Sequence, residues 1–546
     1  MVGTGDSSTI EDARRRAERW LAVEPDADVR DETSELLRGP ADVLVERFTG
    51  RLAFGTAGLR AAIGAGPRRM NRLVVRQAAA GLVDHLLATD PTAASRGLIV
   101  GWDARRKSED FALDTARVAA ARGMTVHLMP EPVPTPVLAW NITALGCAAG
   151  VMVTASHNPP SDNGYKVYLD TGSQIVPPHD ELIAAAIAAV DPTDVELVPL
   201  DHSSIHRLDH ETVDAYVRFV PSVRVTDPAR TRDVPIVVAY TALHGVGGEI
   251  VRRVFAEAGY AAPQVVEDQQ RPDGSFPTVP FPNPEEPGAM DAVIDLAERL
   301  GADVALANDP DADRLGVAIP TVAGRWRRLS GDEIGWLVAD HVLANTSGDD
   351  RLIVSTLVSS SLVGRMADAS GVEYAESFTG FKWIADAALR RPGRRLVFAY
   401  EQALGFLVGN RPLDKDGIGA ALVVAEIARC ARADGVTIEE RLERVADRFG
   451  RCITTETSIP MSPEDGRAAV ARLQENPPET IAGRVVRSVE SIPEAGLVRL
   501  FVAGEHEPIR VQIRPSGTEP KVKLYGEAYD EDPGPCLEAV RRLLVG

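Results

Sequence analysis

Residues Ala148–Gly164 read AAGVMVTASHNPPSDNG, an apolar run that ends at Val153 and opens into a loop rich in Ser, Asn and Pro. A short apolar run bounded by turn residues is the signature of a buried strand. The phrase recurs twice. Asp303–Ala307 (DVALA) leads into Asn308–Arg314 (NDPDADR), and Arg395–Ala399 leads into Tyr400–Gly405 (YEQALG). Each has an earlier strand and a helix pattern before it: Gly97–Asp103 (GLIVGWD) with the Ala-rich Glu109–Arg122, Pro235–Tyr240 with Glu249–Ala258, and Arg351–Thr356 with a helix through Asp368. Strands alternating with helices predict mixed α/β domains. Open α/β sheets place ligand loops at the C-terminal ends of their strands.

The tail breaks the scheme. Thr454–Ile459, Val498–Val502, Ile509–Ile513 and Val522–Tyr525 read as strands, and Glu464–Gln474 and Cys536–Leu544 as helices, which is an α+β pattern. The expected fold class is α/β: three similar mixed α/β domains plus a C-terminal α+β domain. The expected boundaries are 1–207, 208–327, 328–450 and 451–546. The Pro-rich Pro272–Pro287 reads as an irregular loop.

At 546 residues, 45% hydrophobic and 25% charged, the chain has globular composition and length for several cores, which excludes a disordered or fibrous protein. Asp+Glu outnumber Lys+Arg by 79 to 59, a formal net charge of -20. Such a surface repels nucleic acid and anionic membranes, and an anionic substrate would need cations gathered in one place. Cys147, Cys430, Cys452 and Cys536 form no CxxC pair and read as reduced thiols. Met1–Thr9 is polar, and no stretch approaches the ~18 apolar residues of a membrane span. The expectation is a soluble, cytoplasmic protein with neither a nucleic-acid nor a membrane partner.

Three loops carry chemistry. Ser156, at a strand exit, reads as a nucleophile or as the hydroxyl of an ST-turn that ties down its loop. Its neighbours His157 and Lys166 offer acid/base or electrostatic help. The chain has no GxSxG elbow. Asp309, Asp311 and Asp313 alternate within one short loop, where mutual repulsion calls for a divalent cation and hard oxygen ligands suit Mg²⁺. An EF-hand is excluded, because Arg314 and Pro320 stand where Gly and Glu would be required. Arg514–Lys521 (RPSGTEPK) reads as an anion cradle, with Gly517 admitting backbone N–H groups and Arg514 gripping phosphate, or as a tight hairpin. Phe54–Arg60 (FGTAGLR) and Glu401 in YEQALG are weaker signals, each equally readable as an ordinary turn or a surface acid.

Taken in order, TASHNPPSDNGYK, DPDADR, EQALG and RPSGTEPK resemble the four active-site loops of the α-D-phosphohexomutase superfamily, the phosphoglucomutases and phosphomannomutases, over about Gly55–Tyr525. The resemblance implies four domains around a central cleft and interconversion of hexose 1-phosphate and hexose 6-phosphate (glucose and/or mannose), by a monomer or homodimer acting on a phosphosugar. Ser156 would be the phosphorylated serine. Asp309, Asp311 and Asp313 would hold Mg²⁺, with a phosphoserine oxygen completing the site, and hexose 1,6-bisphosphate would be intermediate and activator. Arg60 and Lys166 would stabilise charge and transfer protons. Arg314 lies at the metal loop; Thr379, Gly380 and Glu401 would contact the sugar; Arg514, Ser516, Gly517 and Thr518 would hold the non-reacting phosphate. The sugar loop Glu401–Phe406 carries neither Glu-x-Ser-Gly-His nor Glu-Glu-Ser-Phe-Gly. With TGFKW and Asp414–Gly417 it is more similar to the branch of phosphopentomutase-like and glucose-1,6-bisphosphate-forming enzymes. A phosphopentomutase is therefore the alternative, and a metal-dependent sugar phosphatase the alternative of another class.

Overall fold

The computed structural model describes residues 7–55, 58–515 and 520–545. Ser516, Gly517 and Thr518 of the expected phosphate cradle lie outside the described residues. The chain divides into two compact units. The first runs to Pro320 and adds Trp326–Arg328 and Leu404–Arg429; the second comprises Thr321–Arg325, Leu329–Ala403 and the chain from Cys430 onward.

In the first unit, β1 (Leu59–Ala62), β2 (Leu98–Trp102), β3 (Val126–Leu128), β4 (Ala149–Val153), β5 (Asp162–Leu169) and β6 (Ile205–Arg207) form a sheet of order β1-β5-β4-β2-β3-β6. β3, β2 and β4 are parallel, and β5 returns antiparallel to β4. Every residue of β2 and β4 is buried, because helices Ser108–Ala121 and Thr135–Leu145 both pack on them. Burial on two faces is why these strands read as unbroken apolar runs instead of alternating.

The second sheet repeats the plan. It contains β7 (Val238–Thr241), β8 (Gln264–Val265), β9 (Val304–Asn308), β10 (Leu315–Pro320) and β11 (Trp326–Arg328), in the order β11-β10-β9-β7-β8. β8, β7 and β9 are parallel, and β10 doubles back antiparallel to β9. In both sheets a buried parallel strand reverses into an antiparallel partner, and a loop singled out for chemistry sits at that reversal. Residues 272–287 are irregular apart from turns, as their prolines require.

The second unit has a third sheet, in which β13 (Glu373–Ser377) and β14 (Arg395–Glu401) flank β12 (Arg351–Thr356) in parallel. The helix before β12, Gly331–Asn345, starts with a capping box: Ser330 accepts from the Glu333 N–H while the Glu333 carboxylate accepts from the Ser330 N–H. β15 (Gly405–Val408) belongs to the first unit. The tail is antiparallel throughout. β16 (Cys452–Pro460), β17 (Thr480–Ile481), β18 (Arg484–Ile492), β19 (Leu497–Val502), β20 (Ile509–Pro515) and β21 (Lys521–Tyr529) run in the order β16-β21-β20-β19-β18-β17. Val498, Leu500, Val511, Ile513 and Leu524 bury against Leu473, Leu537 and Val540 of the helices Pro463–Glu475 and Gly534–Val545. Each such side chain contributes ~1.5–3 kcal/mol. The fold is thus mixed α/β followed by an α+β tail.

Candidate active site

β4 delivers Ser156, 2% exposed, with φ 54. That left-handed conformation costs an L-residue ~1–2 kcal/mol and persists only where neighbours hold it. The loop does contain an ST-turn, but Thr154 makes it: its Oγ1 accepts the Ser156 N–H at 2.8 Å and donates to Asp103 Oδ2 at 2.7 Å. The Ser156 hydroxyl is left to meet Asp309 Oδ2 at 2.8 Å, with His157 Nδ1 at 3.2 Å. Burial, with Arg314 and Arg60 nearby, holds the His157 imidazole well below its usual range and so neutral.

Asp309 opens the reversal between β9 and β10. Asp309, Asp311 and Asp313 are all buried, and each offers a ligand oxygen within 4.8 Å of the others. Val246 N–H donates to Pro310 O at 2.8 Å, and a Cβ at Gly245 would lie 2.4 Å from the Pro310 Cα. β5 supplies Lys166, whose Nζ donates to Asp311 Oδ2 at 2.7 Å and Asp313 Oδ2 at 2.8 Å. Lys415 Nζ stands 3.5 Å from Asp313 Oδ2. Thr135 Oγ1 donates to Asp311 Oδ2 at 2.6 Å. Burial and then the charges of Asp311 and Asp313 push Asp309 well above the carboxylate range, whereas Lys166, Lys415 and Arg314 overcome burial and hold Asp313 below it. Asp311 Oδ1 and Asp313 Oδ1 are buried without a hydrogen-bond partner. Buried, unbonded carboxylate oxygens in a cluster are costly to keep ionised. The donor set fits a hard divalent cation.

Arg60, in β1 and paired to Gly164 of β5, donates to Asn158 Oδ1 at 3.1 Å. Arg314 donates its N–H to Asp309 Oδ1 at 3.0 Å, and its side chain lies 3.9 Å from Asp313 Oδ1 and 3.8 Å from Glu285 Oε2. The first unit therefore brings Ser156, His157, Lys166, Arg60, Arg314 and the three aspartates together. In the second unit, Thr379 and Gly380 follow β13 and Glu401 ends β14, at the same end of the sheet on either side of β12. Glu401 is 6% exposed. Arg514 lies in β20 opposite Lys523, its Nε donating to Ala495 O at 3.3 Å. Sequence reading missed Asp103, Arg105 and Thr135 as site residues, and quoted Lys415 without giving it a place there. An Asp closing a buried strand two residues before an Arg, as in GWDAR, is the one local signal among them.

Four family profiles match the chain in order: phosphoglucomutase/phosphomannomutase alpha/beta/alpha domain I at residues 51–194, domain II at 214–324, domain III at 330–449, and the C-terminal domain at 462–533. The chain belongs to the phosphoglucomutase/phosphomannomutase family. This phosphomutase is 40% identical over 471 residues to a probable phosphomannomutase of Haemophilus influenzae, covering 85% of this chain and 94% of that protein. It is 34% identical over 551 residues to a probable phosphoribomutase of Schizosaccharomyces pombe, covering 93% and 92%. The crystal structure of a putative phosphomannomutase from Thermus thermophilus shares the fold, with a TM-score of 0.73 at 23% identity over 91% of this chain and all of that one. The phosphomutase is an isomerase, an intramolecular phosphotransferase of a metal-dependent family whose substrates are phosphosugars. No helix among its described residues is long and apolar enough to cross a membrane.

Proposed function

We propose that the enzyme stores a phosphoryl group on Ser156 and exchanges it with the two ends of a hexose monophosphate, glucose or mannose, so that 1-phosphate and 6-phosphate interconvert through hexose 1,6-bisphosphate. The observation that carries this reading is the Ser156 hydroxyl held 2.8 Å from Asp309 beside two buried carboxylate oxygens without hydrogen bonds.

Phospho-Ser156 donates to the free sugar hydroxyl: the serine O–P bond breaks, the sugar O–P bond forms, and the hydroxyl proton leaves to a neighbouring base. The bisphosphate turns over, and its other phosphoryl group returns to Ser156 Oγ. Such transfer needs charge neutralisation and alignment more than covalent machinery. Asp309, Asp311 and Asp313, with a phosphoserine oxygen, would hold Mg²⁺, which supplies neutralisation of the charge on the transferring group. Lys166, Arg60 and Arg314 supply fixed positive charge. His157, its Nδ1 3.2 Å from Ser156 Oγ, would exchange a proton with that oxygen. Burial of Ser156 keeps water from the phosphoserine, without which the enzyme would be a phosphatase. Thr379, Gly380 and Glu401 bind the sugar, and Arg514 with Ser516, Gly517 and Thr518 binds the phosphate that is not reacting. We retain the division into domains 1–207, 208–327, 328–450 and 451–546, a cytoplasmic location in keeping with four buried cysteines that form no disulfide, and a monomer or homodimer.

A second reading, a phosphopentomutase, is favoured by the sugar loop. Ala403 and Gly405 stand where the serine and the histidine of those patterns would be, and the neighbouring Gln402 Oε1 accepts from Thr356 Oγ1 at 3.3 Å and Ser359 Oγ at 3.1 Å. The matching length of the S. pombe relative named phosphoribomutase adds to it. Comparing kcat/KM on glucose 1-phosphate, mannose 1-phosphate and ribose 1-phosphate, primed with a trace of hexose 1,6-bisphosphate, separates the readings. A hexose preference is expected, a ribose preference makes the enzyme a pentomutase, and phosphate release as fast as isomerisation makes it a phosphatase.

A further inference from the structure

Beneath the Ser156 loop lies a buried guanidinium. Arg105 is 4% exposed. Its Nη2 donates to Ser156 O at 2.5 Å and Asn158 O at 2.6 Å, and its Nη1 to Pro159 O at 2.8 Å and Asp162 O at 3.2 Å. Three of these acceptors belong to the Ser156 loop and the fourth opens β5, a set that a planar, multi-pronged donor can gather and a point charge cannot. Carbonyls do not cancel the charge. Asp103 does, 3.4 Å from Nε, while the same carboxylate accepts from Ser108 Oγ at 2.6 Å, Thr154 Oγ1 at 2.7 Å and the Arg105 N–H at 3.0 Å. Arg105 thus grips the loop from below, and Asp103, through Thr154, grips it at its start.

The clamp is closed on its other side by the Pro-rich loop of the second sheet's domain. The Phe276 ring lies 4.9 Å from the guanidinium carbon. A Cβ at Gly274 would sit 2.6 Å from Ala104 O and 2.7 Å from Arg105 Cα, so only glycine permits that approach. Exclusion of water strengthens every hydrogen bond the guanidinium makes.

We propose that Arg105 is the positioning residue of the phosphoryl-carrying serine: by pinning the loop's carbonyls it holds Ser156 in its left-handed conformation and aims Oγ at Asp309. Arg105 would act through the loop and not on the sugar or the transferring group. The inference rests on the reading that Ser156 carries the phosphoryl group. Drawing the carbonyls downward leaves the serine hydroxyl on the opposite side, and pinning Ser156 O fixes the direction of its side chain. Alignment, not affinity, is what the clamp provides.

The test compares Arg105→Lys, Arg105→Met and Arg72→Met. Arg72 is a partly buried cation of the same domain, paired to Asp114 at 2.7 Å with no bond to the Ser156 loop, so it controls for the general loss of a buried ion pair. For each variant one measures Tm, kcat, KM for the sugar monophosphate, and the rate at which hexose 1,6-bisphosphate phosphorylates Ser156. Misplacing a nucleophile by about 1 Å costs about a hundredfold. Arg105→Met is therefore expected to lose about that in kcat and in phosphorylation rate with KM within about threefold, Arg105→Lys to lose roughly tenfold, and Arg72→Met to lower Tm without that loss of kcat. Should Arg105→Met fail to fold, Arg105→Lys carries the comparison. The proposal is overturned if a folded Arg105 variant keeps kcat within about threefold of wild type, or if Arg72→Met loses as much. A wild-type enzyme that takes no phosphoryl group on Ser156 overturns the proposed function itself, a separate outcome of the same experiment.

Discussion

Ser156 could be picked out from its own segment because an apolar strand ending in a polar, Pro-stopped loop is a local pattern. The groups that make it usable are not local. Thr135 reaches Asp311 across 176 residues of chain, and Arg105 reaches Ser156 across 51. Nothing in PVPTP announces the first contact and only the Asp-x-Arg spacing of GWDAR hints at the second; both exist only once the sheets are assembled. Buried acids away from the site show the same dependence. Glu24 accepts from Trp20 Nε1 and the Asp26 N–H, both at 3.1 Å. Burial, opposed by the Asp26 N–H and aided by the Asp26 charge, pushes it up to about 7 from an ordinary 4.5. The folded state therefore binds this proton more tightly than the unfolded chain does. The stability it contributes is full below pH 4.5 and lost as pH rises through about 7. Glu24→Gln keeps the acceptor without the charge. It is expected to raise stability at pH 8 by ~1–3 kcal/mol and to have little effect at pH 5, read as Tm against pH; a pH-independent difference contradicts the assignment.

At the scale of elements, the parallel strands were legible because burial on both faces leaves no polar residue to break the run, as in β2 and β4. β18 was not legible: RVVRSVESI is mostly exposed or half-exposed, and its partner β19 supplies the buried face. Nor was the antiparallel return of β5 and β10, which depends on the turn and not on the strand. That return lets Lys166 of β5 meet Asp311 and Asp313 of the β9–β10 loop, and puts Arg314 at the end of the loop it neutralises. The metal loop is braced by Gly245, whose backbone lies against Pro310. Gly245→Ala must push that loop away, at a cost of ~1–3 kcal/mol in stability. The Mg²⁺ concentration for half-maximal turnover is expected to rise about tenfold for each ~1.4 kcal/mol lost at the site. An unchanged Mg²⁺ dependence would mean that the loop does not hold the cation.

For the whole molecule, the net charge of -20 argues against polyanion partners, and the order of the loops carried the family, which four domain matches then showed. Sugar preference was not legible, because the loop Glu401–Phe406 departs from both of the patterns it was compared with. A cation that binds only the folded protein adds to its stability, so removal of divalent ions with EDTA is expected to abolish turnover and lower Tm, and Mg²⁺ to restore both; full activity in EDTA contradicts a metal role for Asp309, Asp311 and Asp313. The most direct test of the central claim is to incubate the enzyme with radiolabelled hexose 1,6-bisphosphate, quench it, map the labelled peptide, and chase with unlabelled sugar monophosphate. The account predicts label on Ser156 alone, leaving into sugar at least as fast as kcat. Label on another residue, or mutase turnover retained by Ser156→Ala, would contradict it.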